Sequence, residues 1–458
     1  MPNAKSDETV RAQPSGTAQA HQAAPDLSEI FKASGRIGLL SFGGPAGQIA
    51  LMHRVYVDEK QWLTEQQYLS ALNFCMLLPG PEAMQLATYV GWRRGGMIGG
   101  LISGLLFVLP GAAVVLALAA IYAAFGDVPL VEAIFVGIKA AVLAIVLEAL
   151  LKVARRALKL NSDFLIAGLA FVAIYAFNVS FPLIILTAAI CGFLRASWML
   201  DATENQASDT AAKRQNGDHA PAKLESASET LRVALVWLAI WIVPLALLTL
   251  LLGSDHVLSQ ISWFFSKLAV VTFGGAYAVL AYMGQEAVQN YGWLKPGEML
   301  DGLGLAETTP GPLILVTEFV GFLAGFREGG WLMGLAAVGI TLWATFVPCF
   351  LWVFVGAPYV DWLGGQPRLR GALSAVTAAV VGVILNLSVW FAINVLFAAT
   401  DLQTLGALRV QLPVLSSIDW IAAALAVLAV LLLFVLHLGV LKTLAVSAAI
   451  ALVVSVAT

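Results

Sequence analysis

Two stretches of this chain present the same chemical groups in the same order. The first reads Arg36-Ile-Gly-Leu-Leu-Ser41-Phe42-Gly43-Gly44, then Trp62-Leu63, then Pro79-Gly80-Pro81. The second reads Lys267-Leu-Ala-Val-Val-Thr272-Phe273-Gly274-Gly275, then Trp293-Leu294, then Pro310-Gly311-Pro312. One offset of 231 residues, Arg36 to Lys267 and Pro79 to Pro310, carries the first onto the second without a gap. Gly costs about 1 kcal/mol and Pro about 3 kcal/mol in a helix interior, so an apolar helix breaks at each of these motifs. A helix that restarts at a break aims free N–H groups at its N-terminus, which suits an anion. Ser41, Thr272, Thr308 and Thr309 place hydroxyls beside those breaks. The plainer reading of the glycines is close helix packing. Two copies, each coupled to Pro-Gly-Pro, favour the break, and paired interruptions of this kind point to a transporter's binding site.

Charge inside the apolar stretches is sparse. Arg36 and Lys267 precede their Gly-Gly pairs by about two turns of helix, and both are close enough to a span end to snorkel to the interface. Lys139 lies deeper, inside a candidate span at 131–151, where a cation is costly and usually functional. It is expected either to contact the substrate or to pair with a carboxylate such as Glu148. Glu82, Glu148, Glu307 and Glu318 are the acids in apolar surroundings. Each is a candidate for proton coupling, because burial raises a carboxylate's affinity for a proton. Each is also readable as a helix cap or an interface acid.

The elements that position these groups are membrane helices. Of 458 residues, 60% are hydrophobic and 12% charged, against about 25% charged in a soluble domain. Mean hydropathy is +0.86. The net charge of -3 and the scattered cations give no footprint for nucleic acid. Cys75, Cys191 and Cys349 form no CxxC, and the five histidines fall at no metal-ligand spacing. No cofactor is therefore expected. A membrane reductase would need a haem, a flavin or a thiol pair, and the chain is read as no enzyme.

Hydropathy places spans at 30–52, 69–91, 97–125, 131–151, 163–177, 181–195, 231–252, 259–283, 301–325, 331–356, 371–397, 418–436 and 437–457. That is about 13 helices. Residues 1–28 read as a disordered cytoplasmic tail, 29–197 as a first repeat and 198–230 as a cytoplasmic linker. Residues 231–257 read as an unpaired connecting helix, and 258–458 as a second repeat. Arg93, Arg94, Lys152, Arg155, Arg156 and Lys159 put the N-terminus inside by the positive-inside rule. The unpaired helix then inverts the second repeat and leaves the C-terminus outside. After Pro-Gly-Pro the offset becomes 238, so that Pro110 meets Pro348, Lys139 meets Thr377 and Glu148 meets Asn386. The expected fold is an all-α polytopic membrane protein built as an inverted repeat, broken or re-entrant at Phe-Gly-Gly and Pro-Gly-Pro.

Phe-Gly-Gly, Trp-Leu and Pro-Gly-Pro, twice in one chain, resemble the chromate ion transporter family of two-domain, long-chain type. The resemblance implies a bacterial inner-membrane protein that exports the chromate dianion in a proton-linked step and confers resistance, with sulfate as competitor. It carries the motif roles onto Phe42, Gly43, Gly44, Pro79, Gly80 and Pro81, and onto Phe273, Gly274, Gly275, Pro310, Gly311 and Pro312. The second half departs at Ala276, where the first has Pro45, and at Leu313, where the first has Glu82. The alternative is an uptake or exchange carrier for sulfate or a related oxyanion. The expected partners are the bilayer and a small oxyanion; homodimerisation is left open.

Overall fold

The computed structural model describes residues 26–42, 44–126, 128–207, 227–273, 276–364, 366–406 and 408–457. Residues 1–25, which hold almost all of the expected tail, lie outside the described residues, as do 208–226 of the expected linker, Gly43, Gly274 and Gly275. The helices on either side of that linker reach further than hydropathy suggests, to Ala207 and from Ala227.

The first half begins with α1 (Leu27–Leu40), α2 (Gly44–His53), α3 (Glu65–Cys75), α4 (Glu82–Phe125) and α5 (Pro129–Ala157). It continues with α6 (Asn161–Phe177) and α7 (Phe181–Ala207), and α8 (Ala227–Leu252) follows. The second half has α9 (Val257–Val271), α10 (Ala276–Gln285), α11 (Pro296–Thr308), α12 (Val316–Gly356), the short α13 (Val360–Gly364) and α14 (Pro367–Leu396). It ends with a hairpin of β1 (Thr400–Leu405) and β2 (Leu408–Pro413), then α15 (Trp420–Val430) and α16 (Val440–Ala457). The chain is an all-α polytopic membrane protein. Among the described residues an antiparallel hairpin departs from this, in a stretch that hydropathy left unassigned.

Both Phe-Gly-Gly motifs interrupt the helix: α1 stops at Leu40 and α2 starts at Gly44, while α9 stops at Val271 and α10 starts at Ala276. The windows 30–52 and 259–283 are therefore not continuous rods. At 1.5 Å per residue, 14-residue α1 is about 21 Å long, short of a bilayer core of about 30 Å. Seven helices among the described residues are long and apolar enough to cross a membrane. Of the other six hydropathy windows, 30–52, 163–177, 259–283 and 418–436 fall on shorter helices, and 69–91 and 301–325 each straddle the gap between a short helix and the start of α4 or α12.

The halves repeat one another in detail. Each second helix runs into a π-helical turn, Arg54–Glu59 and Glu286–Asn290. α4 and α12 are each folded at a glycine pair, Gly95–Gly96 and Gly329–Gly330, whose second member takes a positive φ of 61° and 70°. Gly91 lies against Gly99 and Ser103 across the first fold, and Gly325 against Met333 and Ala337 across the second, so each is a tight helical hairpin. α1 packs on α4 and α9 on α12, through faces spaced at helical period such as Ile30, Ala33, Ser34, Ile37 and Gly38. The later helices exchange partners: α5 packs on α15 and α16, and α14 on α6 and α7. Unpaired α8 lies against α9 and α12.

Candidate functional site

The two Pro-Gly-Pro elements and the two helix breaks meet through a reciprocal pair of hydrogen bonds. Gly80 N donates to Thr272 O at 2.8 Å, and Gly311 N donates to Ser41 O at 3.0 Å. Each bond joins one half to the other, and the offset of 231 converts one into the other. Gly80 and Gly311 take φ of 120° and 89°, a region that side chains rarely adopt. Pro81 ends the turn at the head of α4, and Pro312 leads through the 3₁₀ turn Leu313–Leu315 into α12.

Polar side chains make the two junctions unequal. Gln48 Nε2 donates to Gly311 O at 2.6 Å, and Gln85 Nε2 donates to Pro79 O at 2.7 Å. Gln85 Oε1 is buried without a hydrogen-bond partner. The corresponding residues of the second half are Val279 and Val316, both buried and apolar. Pro310 O lies against Gly111, where an added Cβ would come within 2.3 Å.

The hydroxyls turn inward. Ser41 and Thr272 are buried and donate to the carbonyls four residues back, Ile37 O and Leu268 O, each at 2.6 Å. Thr308 and Thr309 donate to Leu305 O at 2.7 Å and Ala306 O at 3.1 Å. These bonds occupy the hydroxyl hydrogens, and Phe42 N likewise donates within its own turn, to Leu40 O at 2.9 Å. Phe42 is exposed and Phe273 half-buried at the two breaks.

A cavity of about 310 Å³ opens at the first break. Gly44, Pro45, Gly80, Glu82 and Glu148 line it from the first half, Tyr277, Glu307 and Thr377 from the second. Tyr277 Oη donates to Glu307 Oε1 at 2.7 Å. Lys152 and Arg156 also line it, and Lys152 Nζ pairs with Glu148 at 2.6 Å. Both cations read in the sequence only as markers of sidedness. Their spacing from Glu148, four and eight residues on one helix, places all three on one face and is the signal that identifies them.

The remaining candidates lie elsewhere. Arg36 and Lys267 are exposed on α1 and α9, and Arg36 pairs with Glu59. Neither lines the cavity. Lys139 pairs not with Glu148 but with Asp301 of α11, at 3.4 Å. Glu318, on α12, is fully buried, and neither carboxylate oxygen has a hydrogen-bond partner. A second cavity, of about 520 Å³, lies beside the β-hairpin. It is lined by neutral amides, Asn178, Gln285, Gln289, Asn386 and Gln411, and Asn386 is the repeat equivalent of Glu148.

No group of three or more His, Cys, Asp or Glu side chains among the described residues is arranged to hold a metal. The free cysteines are not clustered: Cys75 and Cys349 are buried and Cys191 is exposed.

The family described as chromate transporter matches residues 28–193 and 259–454, the two halves without α8 and the stretch before it. A chromate transport protein of Cupriavidus metallidurans is 30% identical over 353 residues, 76% of this chain and 78% of its own. One from Pseudomonas aeruginosa is 30% identical over 386 residues, 82% of this chain and 84% of its own. A probable chromate transport protein of Synechococcus elongatus is 29% identical over 350 residues, covering 76% and 80%. No solved structure matches. With both halves matched and the motifs meeting at one junction, this chain belongs to the chromate transporter family.

Proposed function

We propose that the chain is a secondary transporter that carries chromate out of the bacterial cytoplasm across the inner membrane in exchange for protons, and so confers chromate resistance. The observation that carries this reading is the cavity where Gly44, Gly80 and Glu82 of one half meet Glu307 of the other. The first-turn N–H groups of α2, which begins at the cavity, together with Lys152 and Arg156, supply donors and positive charge for a tetrahedral dianion.

The same cavity supports a proton link. Glu82, Glu148 and Glu307 outnumber Lys152 and Arg156 by three to two. For exchange, dianion and protons take turns: the acids take up protons once the dianion has left, carry them inward on the return step, and release them before the next anion binds. With the cell interior negative, outward movement of a dianion gains about 2.3 kcal/mol per charge at 100 mV.

The two halves are read as related by a half-turn in the membrane plane, with the N-terminus cytoplasmic and the C-terminus periplasmic. The reciprocal bonds from Gly80 and Gly311 support this, since an exchange of equivalent contacts is what a two-fold relation produces. Reporter fusions after residues 160 and 400 should report opposite sides of the membrane; the same side for both would discard the inversion.

The deciding experiment is flux of chromate and sulfate in proteoliposomes with imposed pH and voltage gradients. Chromate should move against an inward proton gradient and compete with sulfate. Flux indifferent to the pH gradient would remove the proton link, and accumulation of sulfate in place of chromate would make the chain an uptake carrier. Arg36→Ala should change chromate flux by less than about threefold in the same assay, because exposed ion pairs contribute little. A larger loss would return Arg36 to the binding site.

A further inference from the structure

Away from the cavity, an ion pair between Lys139 and Asp301 joins the two halves. Lys139 lies nine residues before Glu148 on α5, roughly 14 Å along the axis. Asp301 lies ten residues before Gly311, a similar distance from the Pro-Gly-Pro junction. Lys139 Nζ is 3.4 Å from Asp301 Oδ2, and Tyr122 Oη of α4 donates to the same oxygen at 2.8 Å. Asp301 is 3% exposed, and its Oδ1 is buried without a hydrogen-bond partner. Gly297 leaves the space that Lys139 fills, since a Cβ there would stand 3.1 Å from Nζ.

The carboxylate is thus faced by Lys139 from α5, by Tyr122 from α4 and by Glu298 from its own helix, and Glu298 is held by Arg327 of α12. α14 and α16 also pack on α11, and their charged residues are Arg368 and Arg370, and Lys442, in the first turns.

The repeat supplies the contrast. The equivalent of Asp301 is Ser70 at offset 231, and that of Lys139 is Thr377 at offset 238. Thr377 lines the open cavity. The contact between α5 and α11 is closed by charge, while the repeat-equivalent residues Ser70 and Thr377 carry none.

We propose that Asp301 is a proton-operated latch: ionised, it ties α5 to α11 through Lys139 and shuts that side of the protein, and protonated, it frees Lys139 and lets that side open. One proton moves onto Asp301, and Lys139 keeps its own. The closed state holds the ionised carboxylate and the open state the neutral acid, so falling pH favours opening. This rests on the reading of the chain as an alternating-access transporter, and it makes Asp301 a positioning residue that sets when the site changes sides.

The test needs no chromate, so its failure is separate from failure of the transport reading. Ile138 packs against Gly304 of α11 beside the latch. Ile138→Cys, made with Cys75→Ser and Cys191→Ser, is labelled with an impermeant thiol reagent at graded pH. Its rate is divided by that of Leu130→Cys, a position that is exposed, which cancels the reagent's own pH dependence. The normalised rate should rise as pH falls, approaching about tenfold per pH unit for one titrating group. Asp301→Asn should be fast at every pH, and Asp301→Glu should restore the slope. A flat profile without a latch mutation, or a slope that survives Asp301→Asn, overturns the proposal. If Asp301→Asn lets the reagent reach buried Cys349, the variant has unfolded and Lys139→Gln decides: a fast, flat profile supports the latch and a retained slope overturns it.

Discussion

Gly80→Ala is expected to lower chromate flux about a hundredfold in membranes that hold normal amounts of the protein. At a φ of 120° the backbone itself resists a side chain, at a cost of order 1–3 kcal/mol. The added Cβ would come 2.8 Å from Gln85 Nε2 and 2.9 Å from Cys349 Sγ, both in the packed junction. Moving Gln85 breaks its bond to Pro79 O, and shifting the turn weakens the bond from Gly80 N to Thr272 O. A buried polar group left unpaired costs about 1–3 kcal/mol. Roughly 3 kcal/mol in all is about two factors of ten. Gly311→Ala should be milder, about tenfold, because its closest neighbour is the flexible end of Leu315 at 3.0 Å. Gly168→Ala, with nothing within 4 Å, is the control and should leave flux unchanged. Flux measured in vesicles, scaled to protein by immunoblot, gives the order. Normal flux in both junction variants would remove the Pro-Gly-Pro convergence from the transport path.

Glu307→Gln is expected to separate chromate movement from protons. Glu307 is 8% exposed, lines the cavity and accepts from Tyr277. Gln keeps the shape and the accepting oxygen and loses the exchangeable proton. Chromate should still run down its own gradient, while an imposed pH gradient, which should otherwise accelerate flux several-fold or more, should do nothing. Tyr277→Phe removes the donor and leaves the carboxylate in place; a hydrogen bond to a charged group is worth about 1.5–3 kcal/mol, so about a tenfold loss follows with coupling retained. The measurement is chromate flux with and without the pH gradient, alongside proton uptake by a trapped dye. If Glu82→Gln abolishes coupling and Glu307→Gln does not, the proton role passes to Glu82, which shares the cavity.

Much of this architecture is legible from residue order. The breaks after Leu40 and Val271 follow from Gly-Gly, because that preference is local to the backbone. The membrane class follows from apolar stretches that no soluble core needs. Even the outward direction of Arg36 can be read, since it falls off the stripe of Ile30, Ala33, Ser34 and Ile37 that α1 buries. The donation from Ser41 to Ile37 O is local as well, yet the motif presents Ser41 as a free ligand, and only the folded turn assigns its hydrogen.

Sequence alone determined that this protein lies in the membrane, that it is built twice over, and where each copy must break, because hydropathy, duplication and helix propensity are properties of neighbouring residues. Tertiary structure decided who meets whom. It paired Lys139 with Asp301 rather than Glu148, brought Lys152 and Arg156 to the cavity, and joined each Pro-Gly-Pro to the other half's break. Those partners are far apart along the chain, and their approach depends on the sum of many helix contacts, which no local pattern encodes.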